Sequence, residues 1–302
     1  NRITVKKYLF NMALASMVCV LGSCNNGEKD PVTNDASEYI TISTNILTRV
    51  AVAENGSQEF ENGDKISVYA WTGSKASVPD ISQRVVDNAI NTLAGGTWQA
   101  VPQMLWKNMS DEHFFIGVYP SNAQSIANLE ESDFEVNANL EESDLLVATN
   151  LNGIKAQANP VSLTFDHLLA KIIVNLEFRN QWGADGPEVA SVTLDDVATK
   201  CKVNYLQKTV VAGTERGTFA LAEVKANQSY ASIVVPQSGI KTIKVNINGR
   251  DYVYQHDTDI DFEGGKYTII NLTVGRNELS LGSIVINDWL KGDEISGGEA
   301  LD

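Results

Sequence analysis

Short runs in which apolar and polar residues alternate recur along most of this chain. Near its beginning, Ile40, Ile42 and Ile46 fall on one face at a period of two. Alternation of this kind is typical of a half-buried β-strand. Between two later runs, Asn248-Gly249 predicts a tight hairpin turn. Many short strands separated by turn signals predict antiparallel β-sandwiches rather than a parallel sheet.

Other segments share this alternation or a short apolar run, and we predict strands over residues 65–71, 114–119, 134–137, 145–149, 161–165, 172–178, 191–195, 201–205, 218–221, 230–235, 242–247, 250–255, 267–274 and 283–286. Residues 81–93 differ, because their apolar side chains recur at helical spacing, and Asp80 is placed to cap a helix there. Residues 140–145 form a second, weaker helical candidate. The predicted fold is therefore mainly β, with one or two short helices.

The chain has 302 residues, which exceeds the usual size of a single domain. We predict an N-terminal β-sandwich over residues 38–158 and a C-terminal β-sandwich over residues 159–302. The division is placed in a loop of small and polar residues. Residues 24–37 are polar and short-sided, and they predict a flexible tether.

The N-terminal residues 1–23 have the pattern of a targeting segment. Three basic residues precede an apolar run over residues 8–20, which is too short for a membrane span. The run is followed by Leu21-Gly22-Ser23-Cys24, which resembles the lipobox of bacterial lipoproteins. The resemblance implies cleavage before Cys24 and acylation of that cysteine, with palmitate among the acyl groups. A signal peptide that merely contains a cysteine is the alternative.

Composition excludes several classes of function. The chain carries 38 Asp and Glu against 23 Lys and Arg, so it repels phosphate backbones and nucleic acid is not an expected partner. Of its three cysteines, Cys19 and Cys24 lie in or at the end of the targeting segment, and Cys201 is alone in the rest of the chain. That part of the chain therefore has no intramolecular disulfide and no cysteine metal cluster. We expect no metal and no cofactor.

Residues that could carry catalysis are scattered. His113 precedes an apolar strand and is interpreted as a solvated strand start, and His167 as a hydrogen-bonded structural histidine. His256 with the nearby aspartates forms the most metal-like cluster, but the spacing lacks the glycine and distal glutamate of an EF-hand loop. Adjacent glutamates at 130–131 and 141–142 are typical of a solvated face. The chain is therefore not expected to be an enzyme.

A series of local patterns extends over nearly the whole chain. In order they are Leu47-Thr48-Arg49, Phe60-x-x-Gly63-Asp64-x-Ile66-x-Val68-Tyr69, Phe114-Phe115-Ile116-Gly117-Val118-Tyr119-Pro120, Asp144-Leu145-Leu146, the run Leu163 to Lys171, Val234-Val235-Pro236-Gln237, Gly265-Lys266-Tyr267 and Ile286-Asn287-Asp288-Trp289. These patterns, in this order, resemble the fimbrillin family of Bacteroidales, the subunits of type V pili.

The resemblance implies two transthyretin-like sandwiches and export as a lipoprotein to the outer membrane and cell surface. It also implies that an arginine-specific protease removes the lipid and the first strand. A strand from another pilus subunit then fills the vacated groove, and repetition builds a fimbrium for cell adhesion. Arg49 matches the processing arginine, so Arg49-Val50 is the predicted scissile bond. Valine after the arginine departs from the small residue often found in the family.

The residues themselves favour the same mechanism. The strand bearing Ile40, Ile42 and Ile46 lies between a dispensable tether and a basic cleavage site, so its removal exposes an apolar groove with unpaired backbone groups. Adding a strand from another chain is a known recognition mode. The candidate donor is the C-terminal segment with Leu279, Leu281, Ile284, Ile286 and Trp289. This segment is equally compatible with the closing edge strand of its own domain.

A second function remains open at this point. The chain could be a surface lipoprotein that does not polymerise and binds a glycan or a host protein. In that case the five tryptophans would supply exposed stacking surfaces, although packing in a core or an interface is the commoner use of tryptophan.

Overall fold

The computed structural model describes residues 38–46, 59–183 and 186–288. Within these ranges the chain forms β1 Ile42–Ile46, β2 Lys65–Thr72, β3 Val86–Ala94, β4 Thr97–Val101, β5 His113–Tyr119, β6 Ser132–Glu135, β7 Leu146–Ile154, β8 Val161–His167, β9 Ala170–Phe178, β10 Val189–Val197, β11 Lys200–Asn204, β12 Thr209–Ala212, β13 Gly217–Ala220, β14 Ala222–Lys225, β15 Ser229–Val234, β16 Gln237–Ile247, β17 Arg250–Phe262, β18 Lys266–Val274 and β19 Leu279–Asp288. One short α-helix, α1, spans Leu140–Ser143, and 3-10 turns span Ile81–Gln83, Ala156–Ala158 and Asn180–Trp182. The prediction of a mainly β fold with few helices is confirmed.

The strands form four sheets. A seven-stranded sheet has the order β1-β8-β7-β5-β2-β3-β4, and a five-stranded sheet has the order β14-β15-β9-β18-β19. A four-stranded sheet β13-β10-β16-β17 and a three-stranded sheet β12-β11-β6 complete the fold. Most neighbours are antiparallel, while β1 runs parallel to β8 and β18 runs parallel to β9.

Two apolar clusters lie on opposite faces of the seven-stranded sheet. In β2, Tyr69 and Trp71 pack into one cluster together with the C-terminal sheets, whereas Val68 and Ala70 pack into the other. These four side chains are fully buried. Because successive residues of a strand point to opposite faces, β2 is buried on both sides. The second cluster contains Ile40 and therefore holds the beginning of the described chain.

The helix predicted over residues 81–93 is wrong. Only Ile81–Gln83 forms a 3-10 turn, and Val86–Ala94 is the strand β3. An irregularity in the pairing of β3 with β2 lies beside Asn88, which has a φ of 50°. The buried positions of β3 therefore fall at Val86, Ala89 and Asn91, with one interval of three residues. A β-bulge thus produced the spacing that imitated a helix.

Two other local predictions are confirmed. The helix α1 lies within the candidate segment 140–145, and the side chain of Asn139 caps it by accepting hydrogen bonds from two backbone N–H groups of its first turn. Asn248 and Gly249 connect β16 to β17 with φ angles of 53° and 80°. Both residues are left-handed, as a type I′ hairpin turn requires.

The domain division at residues 158 and 159 stays a prediction. Sheet membership changes one strand later, because β8 pairs with β7 and β1 in the seven-stranded sheet, whereas β9 pairs with β15 and β18. No helix among the described residues is both long and apolar enough to span a bilayer.

Candidate assembly site at the first strand

The first strand, β1, lies at one end of the seven-stranded sheet. Residues from Ile42 to Ile46 pair in parallel with residues from Val161 to Phe165 of β8. The N–H of Val161 donates to the carbonyl of Thr41 at 2.8 Å. β1 is joined to the rest of the sheet through a strand that lies more than a hundred residues later in the chain.

The residues just before β1 pair with a different segment. The N–H of Ile40 donates to the carbonyl of Met104 at 3.0 Å, and the N–H of Trp106 donates to the carbonyl of Glu38 at 3.2 Å. Tyr39 and Leu105 form an antiparallel bridge between these two bonds. Residues 38–46 are therefore held on one side by β8 and on the other by residues 104–106. We call the surface that contacts residues 38–46 the β1 groove; it consists of Asn159, β8, residues 104–106 and Trp98.

Asn159 bonds to the backbone where these two pairings meet. Its Oδ1 accepts hydrogen bonds from the N–H of Thr41 at 2.9 Å and from the Thr41 hydroxyl at 3.0 Å. Its Nδ2 donates to the carbonyl of Tyr39 at 2.8 Å. The side-chain amide thus supplies the donor and acceptor that a neighbouring strand would supply. Two of these three bonds go to backbone atoms, so they do not depend on the side chains of the strand.

Four alternate residues face the groove. Ile40 is 1% exposed and Ile42 is 7% exposed, while Thr44 and Ile46 are half-buried. The indole Nε1 of Trp98 in β4 donates to the hydroxyl of Thr44 at 3.0 Å. Of these four inward positions, three are apolar, and Thr44 supplies a hydrogen-bond acceptor at the remaining one.

Aromatic rings line the end of the groove near Ile46. Phe60 lies edge-on to Trp98 and to Phe165, with ring centroids 5.2 Å apart in both cases, and edge-on to Tyr119 at 5.5 Å. Phe165 is the partner of Ile46 in the pairing of β1 with β8. Such edge-to-face pairs stabilise packing beyond the area that they bury.

The residues that occupy the groove carry little charge, and a buried histidine orders one wall of the groove. Of residues 38–46 only Glu38 carries a charge, and it is exposed. His113 is buried; its Nε2 accepts from the N–H of Lys107 at 3.1 Å, and its Nδ1 donates to the carbonyl of Asp111 at 3.0 Å. Its ring meets Trp106 edge-on at 4.9 Å. Burial lowers the pKa of His113 below its ordinary value, so the neutral ring is favoured.

The candidate C-terminal donor segment forms the last strand of the five-stranded sheet. β19 pairs antiparallel with β18, and Gly282 is an extra residue in that pairing. Leu279 and Ile284 pack against the larger apolar cluster, whereas Leu281 is 38% exposed and Ile286 is 48% exposed. β19 is therefore an edge strand of a sheet in its own chain, and two of its large apolar side chains are partly exposed to solvent.

The three histidines considered as candidate catalytic or metal-binding residues have different surroundings in the structure. His113 is fully buried, so its interpretation as a solvated strand start is wrong. His167 bonds through Nδ1 to Asp144 at 2.6 Å, which confirms the structural interpretation. His256 bonds through Nδ1 to the hydroxyl of Tyr254 at 2.5 Å. Across residues 38–46, 59–183 and 186–288, no three His, Cys, Asp or Glu side chains are grouped to hold a metal ion.

The tryptophans of the described ranges pack rather than form a stacking surface. Trp71 and Trp106 are buried, and Trp98 and Trp182 are half-buried. Cys24, the predicted scissile bond Arg49-Val50 and Trp289 lie outside the described residues. The signal peptide and the tether also lie outside them.

Sequence reasoning identified Ile40, Ile42 and Ile46 but missed the polar contacts of the groove. Thr44 continues the same period of two, and this was a usable signal that its hydroxyl faces inward. Asn159 and Trp98 had no local signal, because they meet the strand only through the tertiary fold.

Known structures share this arrangement of strands. A putative cell adhesion protein from Bacteroides ovatus is 18% identical with a TM-score of 0.65, covering 84% of this chain and 99% of that one. A putative cell adhesion protein from Bacteroides uniformis is 16% identical with the same TM-score, covering 84% of this chain and 100% of that one. A fimbrial protein from Bacteroides vulgatus is 12% identical with a TM-score of 0.50, covering 82% and 99%.

At these identities the structural similarity shows the fold alone. No curated protein sequence matches the chain. The family model described as fimbrillin-like, however, matches residues 48–289, which is most of the chain. The chain therefore belongs to the fimbrillin-like family, whose members are structural subunits of cell-surface pili rather than enzymes.

Proposed function

We propose that this chain is exported as a lipoprotein on Cys24 and assembles into an adhesive fimbrium by donor-strand exchange. In this proposal, cleavage between Arg49 and Val50 separates β1 from the rest of the chain. A strand from another pilus subunit then enters the β1 groove. The outer membrane holds the precursor through its lipid until cleavage releases the body.

The observation that carries the proposal is the burial of Ile40 and Ile42 on a strand at the end of a sheet. Each such side chain contributes about 1.5–3 kcal/mol when it is removed from water. Loss of the strand would expose the apolar wall of the groove and leave backbone groups of β8 without partners. A substitute strand would restore both, so the vacated groove has a strong tendency to bind one.

The position of Arg49 suits this mechanism. Residues 38–46 contact the fold through hydrogen bonds and packing, and Arg49 follows them closely in sequence. Their covalent connection to the body runs through the segment that contains Arg49. A single cut there converts β1 from a covalent part of the chain into a bound peptide, which can dissociate.

The C-terminal strand β19 is the candidate donor. It lies at an edge, pairs with β18 alone in the sheet order, and carries the partly exposed Leu281 and Ile286. An edge strand can leave its sheet without disturbing strands on both sides. In the proposed fimbrium, β19 leaves β18 and pairs with β8 of a neighbouring subunit.

The test is proteolysis of the folded chain with an arginine-specific protease. We expect a shortened product that begins at Val50 and forms a ladder of oligomers resistant to mild denaturant. An Arg49→Lys variant should remain uncut at this bond and monomeric, whereas the matched control Arg276→Lys, at an exposed site, should behave like the parent chain.

Mass spectrometry of the mature N-terminus in cells separates the outcomes. A chain that begins at acylated Cys24 in assembled fimbriae, or a single monomeric species after complete cleavage at Arg49, would contradict the mechanism. Replacing Cys24 with serine should abolish lipid labelling and release the precursor from the membrane fraction.

A further inference from the structure

The hydrogen bond between Trp98 and Thr44 has a consequence for which strands can enter the groove. The indole N–H of Trp98 is a donor only, and Thr44 supplies its acceptor at 3.0 Å. Both side chains are at least half-buried. An incoming strand with an apolar residue at this position would leave the indole N–H unpaired, which is unfavourable.

The bonds of Asn159 have the opposite character. They reach the N–H of Thr41 and the carbonyl of Tyr39, which every strand offers, and add one bond to a hydroxyl at position 41. The β1 groove therefore accepts any backbone at Asn159 and discriminates between side chains at Trp98.

We propose that Trp98 selects the occupant of the β1 groove, and that this occupant is residues 279–285 of a second copy of the chain. The selected pattern is apolar, any, apolar, any, Ser or Thr, any, apolar. This inference rests on the proposed donor-strand exchange and assigns its register.

The sequence of the chain supports this occupant. Ile40-Thr41-Ile42-Ser43-Thr44-Asn45-Ile46 aligns without gaps with Leu279-Ser280-Leu281-Gly282-Ser283-Ile284-Val285. Leucines replace the first two inward isoleucines, a serine replaces the threonine that faces Trp98, and valine replaces the last isoleucine. The second position also keeps a hydroxyl, which Asn159 can accept from.

Ser283 already accepts a hydrogen bond within its own sheet. The Nδ2 of Asn271 donates to its hydroxyl at 2.7 Å. In the proposed exchange Ser283 loses this donor and gains the indole N–H of Trp98. When β19 leaves β18, Gly282 is no longer an extra residue in the pairing. In a regular strand Leu279, Leu281, Ser283 and Val285 then share one face.

A register shifted by five residues is the main competitor. It places Ile284, Ile286, Asp288 and Leu290 at the four inward positions. This register brings a carboxylate into a groove whose strand carries no inward charge, and burying a charge without a cationic partner is costly. It also places valine at the position that bonds to Asn159.

The experiment uses the full chain, folded and then cut once between residues 49 and 50, with fluorescent peptides added in excess. The peptides are residues 277–287 as they stand, the same peptide with Ser283→Val, and the same peptide with Ile284→Thr. We expect Ser283→Val to bind about tenfold more weakly and Ile284→Thr to bind within about twofold of the parent. In a chain with Trp98→Phe, which keeps an aromatic ring, the difference between the parent peptide and Ser283→Val should vanish.

Equal binding of the parent and Ser283→Val peptides would overturn selection by Trp98, and weaker binding of Ile284→Thr would overturn the register. Failure of every peptide to bind, including one of residues 38–48, would overturn strand exchange itself. The uncut chain supplies an independent measurement. There Thr44→Val should lower the denaturant midpoint more than Thr44→Ser and more than the control Ser43→Val. Equal effects would overturn selection by Trp98 and leave strand exchange itself unaffected.

Discussion

Asn159 holds Thr41 across 118 positions of sequence, and its Oδ1 accepts from both the amide and the hydroxyl of that residue. This contact joins the two halves of the β1 groove, because residues before Thr41 pair with residues 104–106 and those after it pair with β8. A single amide side chain therefore sets where the first strand changes partner.

Replacing Asn159 with alanine should loosen the first strand before it affects the rest of the fold. The change leaves the N–H of Thr41 and the carbonyl of Tyr39 without this partner, which costs about 1–3 kcal/mol. Hydrogen exchange of residues 38–46 should accelerate, while exchange in β9 stays unchanged. The matched control is Asn150→Ala, since the hydrogen bond of Asn150 goes to the carbonyl of Ser162 in β8 rather than to a residue of the first strand. Unchanged exchange at residues 38–46 would contradict this role.

Replacing Ile40 with alanine should destabilise the chain by about 2–5 kcal/mol, because the side chain is 1% exposed and its loss leaves a cavity. Urea unfolding followed by tryptophan fluorescence measures the change. Ile81→Ala is the matched control, since Ile81 is 43% exposed and should shift the free energy of unfolding by less than about 1 kcal/mol. An effect of Ile40→Ala as small as that of Ile81→Ala would contradict the stabilising role of Ile40.

Acid should weaken the wall of the groove through His113. Burial holds this ring neutral in the folded state. A protonated Nε2 would also point a second donor at the N–H of Lys107. The hydrogen bond to Asp111 and the charge of Asp111 favour protonation, but burial outweighs them, and the charge of Lys107 opposes protonation as well. The folded pKa therefore lies below the unfolded value of about 6.5. The unfolded state binds the proton first, and stability falls as pH drops from 6.5 toward the folded pKa.

The measurement is an NMR titration of the His113 ring together with unfolding at several pH values. We expect the ring to titrate below pH 6.5 and the parent chain to lose more stability than His113→Gln across the same interval. A ring that titrates above pH 6.5 would contradict the burial argument.

Cys201 should be inert in the folded chain. The thiol is buried, and burial raises its pKa to about 12, with a smaller contribution from the nearby Asp133. Compared with the ordinary value of 9.0, this lowers the thiolate fraction at pH 8 on the order of a thousandfold. In a Cys19→Ala, Cys24→Ala chain, iodoacetamide should label Cys201 only after unfolding in guanidinium. Rapid labelling of the native chain would show that the strand β11 opens.

Local sequence was sufficient for the β class, for the hairpin turn at Asn248-Gly249 and for the inward-facing isoleucines of β1. In each case the signal is a period or a turn residue, which acts within a few neighbouring positions. The same local reasoning failed at β3. There the buried residues Val86 and Ala89 are three positions apart, because the pairing with β2 contains a bulge. Only the partner strand reveals such an irregularity.

The sequence by itself determined that this chain builds sheets, that its first strand has one apolar face, and that it resembles fimbrillins. The tertiary structure decided which strands meet β1, because pairing with β8 and with residues 104–106 joins positions far apart in the chain. It alone brought Asn159 and Trp98 to residues 41 and 44. The physical reason is that hydrogen bonds and burial depend on distance in space, and a periodic pattern specifies a face without specifying what covers it.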